Sequence, residues 1–334
     1  MMRVLVTGGA GYIGSHTCKA LARAGHLPVC LDNFQAGHRS FVRWGPLVEG
    51  DVRDASALMA ALRAHQIDAV IHFAGRIAVG ESVAFPLDHY EVNVGGTIAL
   101  LQAMRACGVD ALVYSSSAAV YGIPEEGRIG ESAVLAPISP YGRTKATAEA
   151  IVADAAAAHK LRAVALRYFN AAGADSDAEV GEWHEPETHL VPLAIRAAMT
   201  GEHFTLNGTD YPTPDGTCIR DFVHVEDLAQ AHVASVEALV AGRPLAAAMN
   251  VGAGIGHSVR TVLAMVEQVT ERPVRVIEGA RRPGDPPELV AHAGLIEACL
   301  GWSARKSDLR TIVASAWRWH RRMSRSQTLE EVSR

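Results

Sequence analysis

The chain has 334 residues, 49% hydrophobic and 20% charged, with a formal net charge of -5. That length allows two domains and a sizeable core. The mild acidity speaks against nucleic acid or an anionic membrane as partner, and no apolar run approaches the roughly 18 residues of a transmembrane helix. Cys18, Cys30, Cys107, Cys218 and Cys299 are scattered and form no C-x-x-C pair. They read as reduced thiols of a cytoplasmic protein, and no metal is expected. The opening MMRVLVTGGAG has too short an apolar run for a signal peptide.

Short apolar runs at 3–7, 28–32, 47–49, 69–73, 111–115 and 163–168 alternate with helix-like stretches at 15–24, 55–65, 87–107 and 141–159. Such alternation implies a parallel sheet with helices on both faces, and near-continuous apolar runs suit strands buried on both sides. The expected fold class is α/β, a Rossmann-type doubly wound parallel sheet with a smaller mixed α/β substrate domain. Residues 171–189 are rich in Gly, Asp, Glu and Pro. They suggest a boundary near 173, dividing a cofactor domain (1–173) from a substrate domain (174–330). A helix at 224–240 and a strand at 248–251 suggest that parts of 222–252 return to the first domain. The basic run Trp317-Arg318-Trp319-His320-Arg321-Arg322 reads as a solvated helix end with its aromatics facing in.

The first strand runs into Gly8-Gly9-Ala10-Gly11-Tyr12-Ile13-Gly14, with glycines at Gly8, Gly11 and Gly14. A G-x-x-G-x-x-G loop between a strand and a helix lets a pyrophosphate approach a helix N-terminus. The next strand ends at Asp32, eighteen residues after Gly14. An acid there bonds a ribose diol and repels a 2′-phosphate, which favours NAD over NADP. Asp51, the His72-Phe73-Ala74-Gly75 run and Ser115-Ser116-Ser117 follow later strands. Ligands gather at the carboxyl ends of strands in open α/β sheets, so these runs should converge on one crevice.

The stretch SPYGRTK begins a helix: Ser139 suits its cap and Pro140 its first position. Tyr141 and Lys145 then share a face one turn apart. A nearby ammonium favours a phenolate, so Lys145 is expected to lower the Tyr141 pKa and make it an acid/base near neutral pH.

Together TGGAGYIGSH, LDN, EGDVRD, VIHFAG, AVGESV, NVGGT, SSSAAVYG, SPYGRTK, LRYFNAAGA, ETHLVP, DGTCIRDFVHVEDLA and RRPGD resemble the extended short-chain dehydrogenases/reductases. Within that group the set is similar to UDP-galactose 4-epimerases. The motifs run from residue 7 to 285.

The resemblance implies that Tyr141 exchanges the proton of the sugar 4-hydroxyl, with Ser117 sharing the hydrogen bond and Lys145 holding the nicotinamide ribose. It implies an NAD site lined by Gly8, Gly11, Tyr12, Ile13, Gly14, Asp32 and Asn33. Further along come Asp51, Val52, Phe73, Ala74, Gly75, Asn93, Ser115 and Tyr168. The UDP-hexose would meet Asn170, His189, Leu190, Asn207, Arg220, Arg282, Asp285 and Leu289. The implied reaction interconverts UDP-galactose and UDP-glucose: the C4 hydride passes to tightly bound NAD, the 4-keto sugar turns about its diphosphate, and the hydride returns to the opposite face. Paired arginines suit the diphosphate anchor, although Arg220 could equally pair with Asp221. The resemblance also implies a homodimer built through helices 87–107 and 141–159.

Three positions depart from the common pattern of these epimerases. A lysine is replaced by Ile77 beside Arg76, whose reach to a cofactor phosphate is open. An asparagine becomes His189, which either bonds the sugar or fills space. A tyrosine becomes Leu289, which would widen the pocket around C2 and admit UDP-N-acetylhexosamines. A 4,6-dehydratase needs an acid pair after Ser117, where Ala118-Ala119 stand instead. A 4-epimerase of UDP-xylose/arabinose or UDP-uronates, or a silent NAD-binding sensor, remains as an alternative.

Overall fold

The computed structural model describes residues 1–124, 128–282 and 284–332, with side chains as far as residue 324. The first half runs β1 (Arg3–Thr7), α1 (Tyr12–Arg23), β2 (Leu27–Asp32), β3 (Leu47–Glu49), α2 (Ala55–Ala64) and β4 (Ala69–His72). It continues through α3 (Val79–Ala84), α4 (Pro86–Tyr90), α5 (Gly96–Cys107), β5 (Ala111–Ser117), β6 (Arg128–Ile129), α6 (Pro140–His159) and β7 (Arg162–Tyr168). Then follow β8 (Asn170–Ala172), α7 (Leu190–Thr200), β9 (His203–Asn207), β10 (Ile219–His224), α8 (Val225–Val240), β11 (Ala248–Val251) and β12 (Gly256–Ser258). The last elements are α9 (Val259–Thr270), β13 (Arg275–Gly279), β14 (Glu288–Ala291), α10 (Gly294–Leu300) and α11 (Leu309–Val332).

Seven strands form one parallel sheet in the order β11-β7-β5-β4-β1-β2-β3. Sequence order runs outward in both directions from β1 and β4. The chain therefore switches direction between them, and the crevice above that gap is where this topology binds ligands. The apolar strands are explained by two cores. Cys18 and Leu21 of α1 with Leu228 and Val236 of α8 cover one face, and Leu58 of α2, Leu100 and Met104 of α5 and Ala148 of α6 cover the other. At about 25 cal/mol per Å² of apolar surface, burial on both faces is the main force holding these strands.

Two elements differ from the sequence reading. The helix expected over 87–107 is broken: α4 leads into a π turn, Glu91–Gly95, before α5. The wider turn carries buried Asn93, whose amide reaches out of the helix to Arg76 and Thr144. Strand β5 runs on to Ser117, because Ser115, Ser116 and Ser117 pair with Leu166, Arg167 and Tyr168. Their hydroxyls find partners inside, so the apolar pattern stops before the strand does.

Strand β11 pairs with β7 at the edge of the first sheet, after the chain has visited the second half. There β10 lies between β12, antiparallel to it, and β14, parallel to it, and its C-terminal residues also pair parallel with β8. A third core of Val191, Ile195, Val262, Val266, Ile312 and Val313 joins α7, α9 and α11. Trp319 of the basic run is buried against Phe41. No helix among the described residues is long and apolar enough to cross a membrane.

Candidate active site

The glycine loop is folded onto itself at the switch point. Gly8 has φ +70°, and a Cβ there would lie 2.8 Å from the Ala74 nitrogen. A Cβ on Gly14 would lie 2.1 Å from the Gly8 carbonyl oxygen. No side chain caps α1 at Gly11, so its first-turn N–H groups are left for a ligand anion. Asp32, almost buried at the end of β2, accepts from the Ala10 and Phe34 nitrogens at 3.0 and 2.9 Å. Burial raises its pKa and these N–H donors oppose that rise. Each carboxylate oxygen keeps a lone pair for a diol. This cradle of small residues, free N–H groups and an acid fits a dinucleotide such as NAD.

Beside it, Asn33 Nδ2 donates to Asp51 at 3.0 Å, and Arg53 grips the same carboxylate through Nε and Nη2, both at 2.8 Å. That grip holds Asp51 well below the usual carboxylate range. Val52 is buried under this rim. Phe73 packs its ring on His232, with centroids 4.6 Å apart. Asn93 accepts from the Arg76 nitrogen at 2.8 Å and donates to the Arg76 carbonyl and Thr144 hydroxyl, both at 3.0 Å. Its amide is therefore committed to pinning the strand end at 74–76. The Arg76 guanidinium pairs with Glu81 at 2.5 Å and faces Asp88 at 3.7 Å. Tyr12 donates to the Gly173 carbonyl at 2.7 Å, tying the loop to the start of the second half.

At the head of α6, Ser139 Oγ accepts from the Gly142 nitrogen at 3.1 Å, a cap worth about 1 kcal/mol. This places Tyr141 and Lys145, both buried, over the ends of β5 and β7. Lys145 Nζ donates to the Ser115 carbonyl at 2.8 Å and stands 6.0 Å from the centre of the Tyr141 ring. The Ser115 hydroxyl shares a hydrogen bond with Tyr168, and Ser117 lies beside Tyr141.

The expected lowering of the Tyr141 pKa by Lys145 is not what this geometry gives. Burial of the phenol dominates and raises it, with Ser117 pulling it partly back. Burial also lowers Lys145 to about 8, against the pull of Glu149. The ammonium is turned to a carbonyl rather than to the phenol, and its own charge is disfavoured in the same dry pocket.

Behind these groups runs a buried network that the sequence reading missed. The Ser116 hydroxyl donates to Glu149, and Arg167 grips Glu149 through Nε at 3.0 Å and Nη2 at 2.6 Å. Arg167 also donates to the Tyr121 hydroxyl at 3.0 Å, which donates to Asn250 of β11 at 2.7 Å. Each link adjoins a site residue: Ser116 between Ser115 and Ser117, Glu149 one turn beyond Lys145, Arg167 next to Tyr168. The available signal was the single arginine within the apolar run AVALRYF.

The second half of the chain carries a second cluster. Arg220 pairs with Asp285, and donates to the Pro286 carbonyl at 2.8 Å. Asp221 is not its partner. That buried carboxylate accepts from the nitrogens of Ala253, Gly254 and Ala291 at 2.8, 2.9 and 3.1 Å. Asn170 Nδ2 donates to the Asp221 carbonyl at 3.1 Å. With its amide oxygen turned toward Arg282, Asn207 accepts from Nη2 and Nε at 3.3 and 3.2 Å. Leu289 is half-buried and lies beside Arg220 in the β10–β14 pairing. His189, half-exposed, stands just ahead of α7 without capping it, its Nδ1 2.7 Å from Glu182 Oε1.

The sequence pattern of the NAD dependent epimerase/dehydratase family matches residues 4–252. A UDP-glucose 4-epimerase of Rhizobium leguminosarum bv. trifolii is 51% identical over 318 residues, covering 95% of this chain and 97% of the relative. The crystal structure of UDP-glucose 4-epimerase from Brucella ovis in complex with NAD is 50% identical, with a TM-score of 0.93 over 95% of this chain and 98% of that one. The UDP-glucose 4-epimerase structure from Stenotrophomonas maltophila, with bound NAD and formylated UDP-arabinopyranose, is 40% identical, with a TM-score of 0.94 over 98% of this chain and all of that one.

Proposed function

The chain belongs to the NAD dependent epimerase/dehydratase family, and from that premise we infer that it interconverts UDP-galactose and UDP-glucose with NAD as its cofactor. The observation that carries this is the full-length kinship at about half identity to UDP-glucose 4-epimerases. The intact Ser117, Tyr141 and Lys145 set at the strand ends supports it. That kinship favours neither a pentose or uronate epimerase nor a silent sensor.

Bound NAD supplies hydride exchange at the sugar C4. The chain's own groups do the rest. Gly8, Gly11 and Gly14 keep side chains away from the pyrophosphate, and Asp32 and Asn33 take the adenosine end. Lys145 and Tyr168, already linked through Ser115, hold the nicotinamide end. The Tyr141 phenol exchanges a proton with the 4-hydroxyl, and Ser117 orients both. Burial raises the Tyr141 pKa, and positive charge on a bound cofactor, added to that of Lys145, would favour the phenolate. Arg220 and Arg282 anchor the diphosphate, with Asn170, Asn207 and Asp285 around them. Leu190 and Leu289 leave the hexose loosely held, as a sugar that must turn requires.

Leu289 in place of a ring extends the substrate range to UDP-N-acetylhexosamines. The protein acts as a cytoplasmic homodimer, divided near residue 173. Val83, Phe85, Leu87 and Ile98 give α3–α5 an apolar surface for a second copy, Leu87 being 79% exposed. The test is to incubate purified protein, without added NAD, with UDP-galactose and UDP-N-acetylgalactosamine together and resolve the products. Formation of UDP-glucose is expected; its absence, even after NAD is added, would refute the reading.

A further inference from the structure

The loop between β8 and α7 carries Glu182-x-His184-x-x-Glu187-x-His189, a spacing that the function above does not absorb. We propose that these four side chains form a tetrahedral site for a divalent cation of the zinc class. The four ligand atoms lie within 4.8 Å of one another. His184 Nδ1 is 3.5 Å from Glu182 Oε1 and 3.6 Å from Glu187 Oε2. His189 Nδ1 is 3.3 Å from Glu187 Oε1 and 2.7 Å from Glu182 Oε1. A tetrahedron with arms of about 2.1 Å, the length of zinc–nitrogen and zinc–oxygen bonds, has edges of about 3.4 Å. The two His184 spacings and the His189–Glu187 spacing sit close to that edge, reached through one or the other Glu187 oxygen, and the fourth is a hydrogen bond that a cation would replace.

A second observation points the same way. His184 Nδ1 is buried and has no hydrogen-bond partner. Leaving such an atom unpaired is costly, and coordination would satisfy it. Glu182 is itself buried, with only 5% of its side chain exposed. Glu182 and Glu187 outweigh burial and hold both imidazoles above their usual range, so a dication would displace two protons; it would then be balanced by two carboxylates and two neutral imidazoles, a mixture of nitrogen and oxygen donors that suits zinc better than magnesium or calcium. The other acidic cluster of the molecule makes the contrast. Asp175, Asp177 and Glu179 already surround Lys19 Nζ at 2.8, 2.9 and 2.6 Å, so their cation is built in. At 182–189 the cationic partners among the ion pairs described are His184 and His189, and unlike a lysine each can give up its proton and become a metal ligand.

A bound cation would fix the loop and set the ring of His189 ahead of α7. The site does not depend on the assigned reaction. Its test is therefore a binding measurement on the full chain, stripped with a chelator and dialysed against a zinc buffer. One zinc per chain is expected by elemental analysis, with at least a tenfold loss of affinity in a His184→Ala, Glu187→Gln double variant. Cobalt(II) titrated into the stripped wild-type chain needs no variant and should give the strong visible absorption of a four-coordinate ion. Zinc retained equally by the double variant, or a cobalt spectrum like that of the aqueous ion, would overturn the proposal.

Discussion

The two clusters assigned to the proposed active site, a cofactor flank and a sugar flank, are made of different material. On the cofactor flank the backbone does most of the work: glycine turns, strand ends and an uncapped helix start, with Asp32 held by main-chain nitrogens. On the sugar flank, side chains from distant segments hold one another, as Arg220 does with Asp285 and Asn207 with Arg282. Backbone-built sites are rigid and tolerate few side chains. Sites made of paired side chains can trade partners when a ligand arrives. The Arg220–Asp285 pair is the clearest case, since a diphosphate can take over the guanidinium.

Tyr141→Phe should cut turnover by about 10³-fold, within the range for a positioned acid/base, while bound NAD measured by absorbance stays unchanged. Loss of NAD as well would mean that Tyr141 builds the cradle rather than the chemistry. Glu149→Gln should cost about 3 kcal/mol in urea unfolding, because it leaves Arg167 buried without its full partner. If the network positions the site, kcat should fall in this variant with little change in KM.

Acid should weaken the first sheet. Burial lowers His16 and His232 from 6.5 to about 4. Between those values the unfolded chain takes up protons that the folded chain refuses, so stability falls as pH drops from 6.5 toward 4. Each ring contributes on the order of 3 kcal/mol, checked by urea melts of His232→Phe against wild type across that range. On the sugar flank, Arg220→Lys should raise KM about tenfold with kcat nearly kept, since lysine loses the bidentate grip on phosphate. A fall in kcat alone would move Arg220 to the chemical step. Smallest of all, Leu289→Tyr should shift the activity ratio against UDP-N-acetylgalactosamine by severalfold, about 1 kcal/mol. An unchanged ratio would sink the role given to Leu289.

The same contrast explains what could be read in advance. Gly8, Gly14 and Asp32 were legible because a tight turn and a strand end impose residue types at fixed spacing. Strand β11 was legible as an apolar run, and its pairing with β7 follows from the open sheet edge. The partner of Arg220 was not legible: Asp221 is its neighbour in sequence, but alternation along β10 turns that carboxylate to the opposite side, and the true partner is 65 residues away. The break in the 87–107 helix was hidden for a similar reason. Val92, Asn93, Val94 and Gly95 are weak helix formers, but nothing among them specifies a π turn, which accompanies what Asn93 binds across space. The network through Glu149 and Arg167 joins four elements, and its one local sign is Arg167 within the apolar run AVALRYF.

The crossing between the halves has a mechanical consequence. Strand β8 leads out of the first sheet and β10 leads back toward it, and the two lie side by side, with Asn170, Ala171 and Ala172 paired to Phe222, Val223 and His224. A one-residue slip of that pairing would turn the Asn170 side chain, whose amide bonds the Asp221 carbonyl, to the opposite face. The register of three residue pairs therefore indexes the sugar flank against the chain that leaves the first sheet.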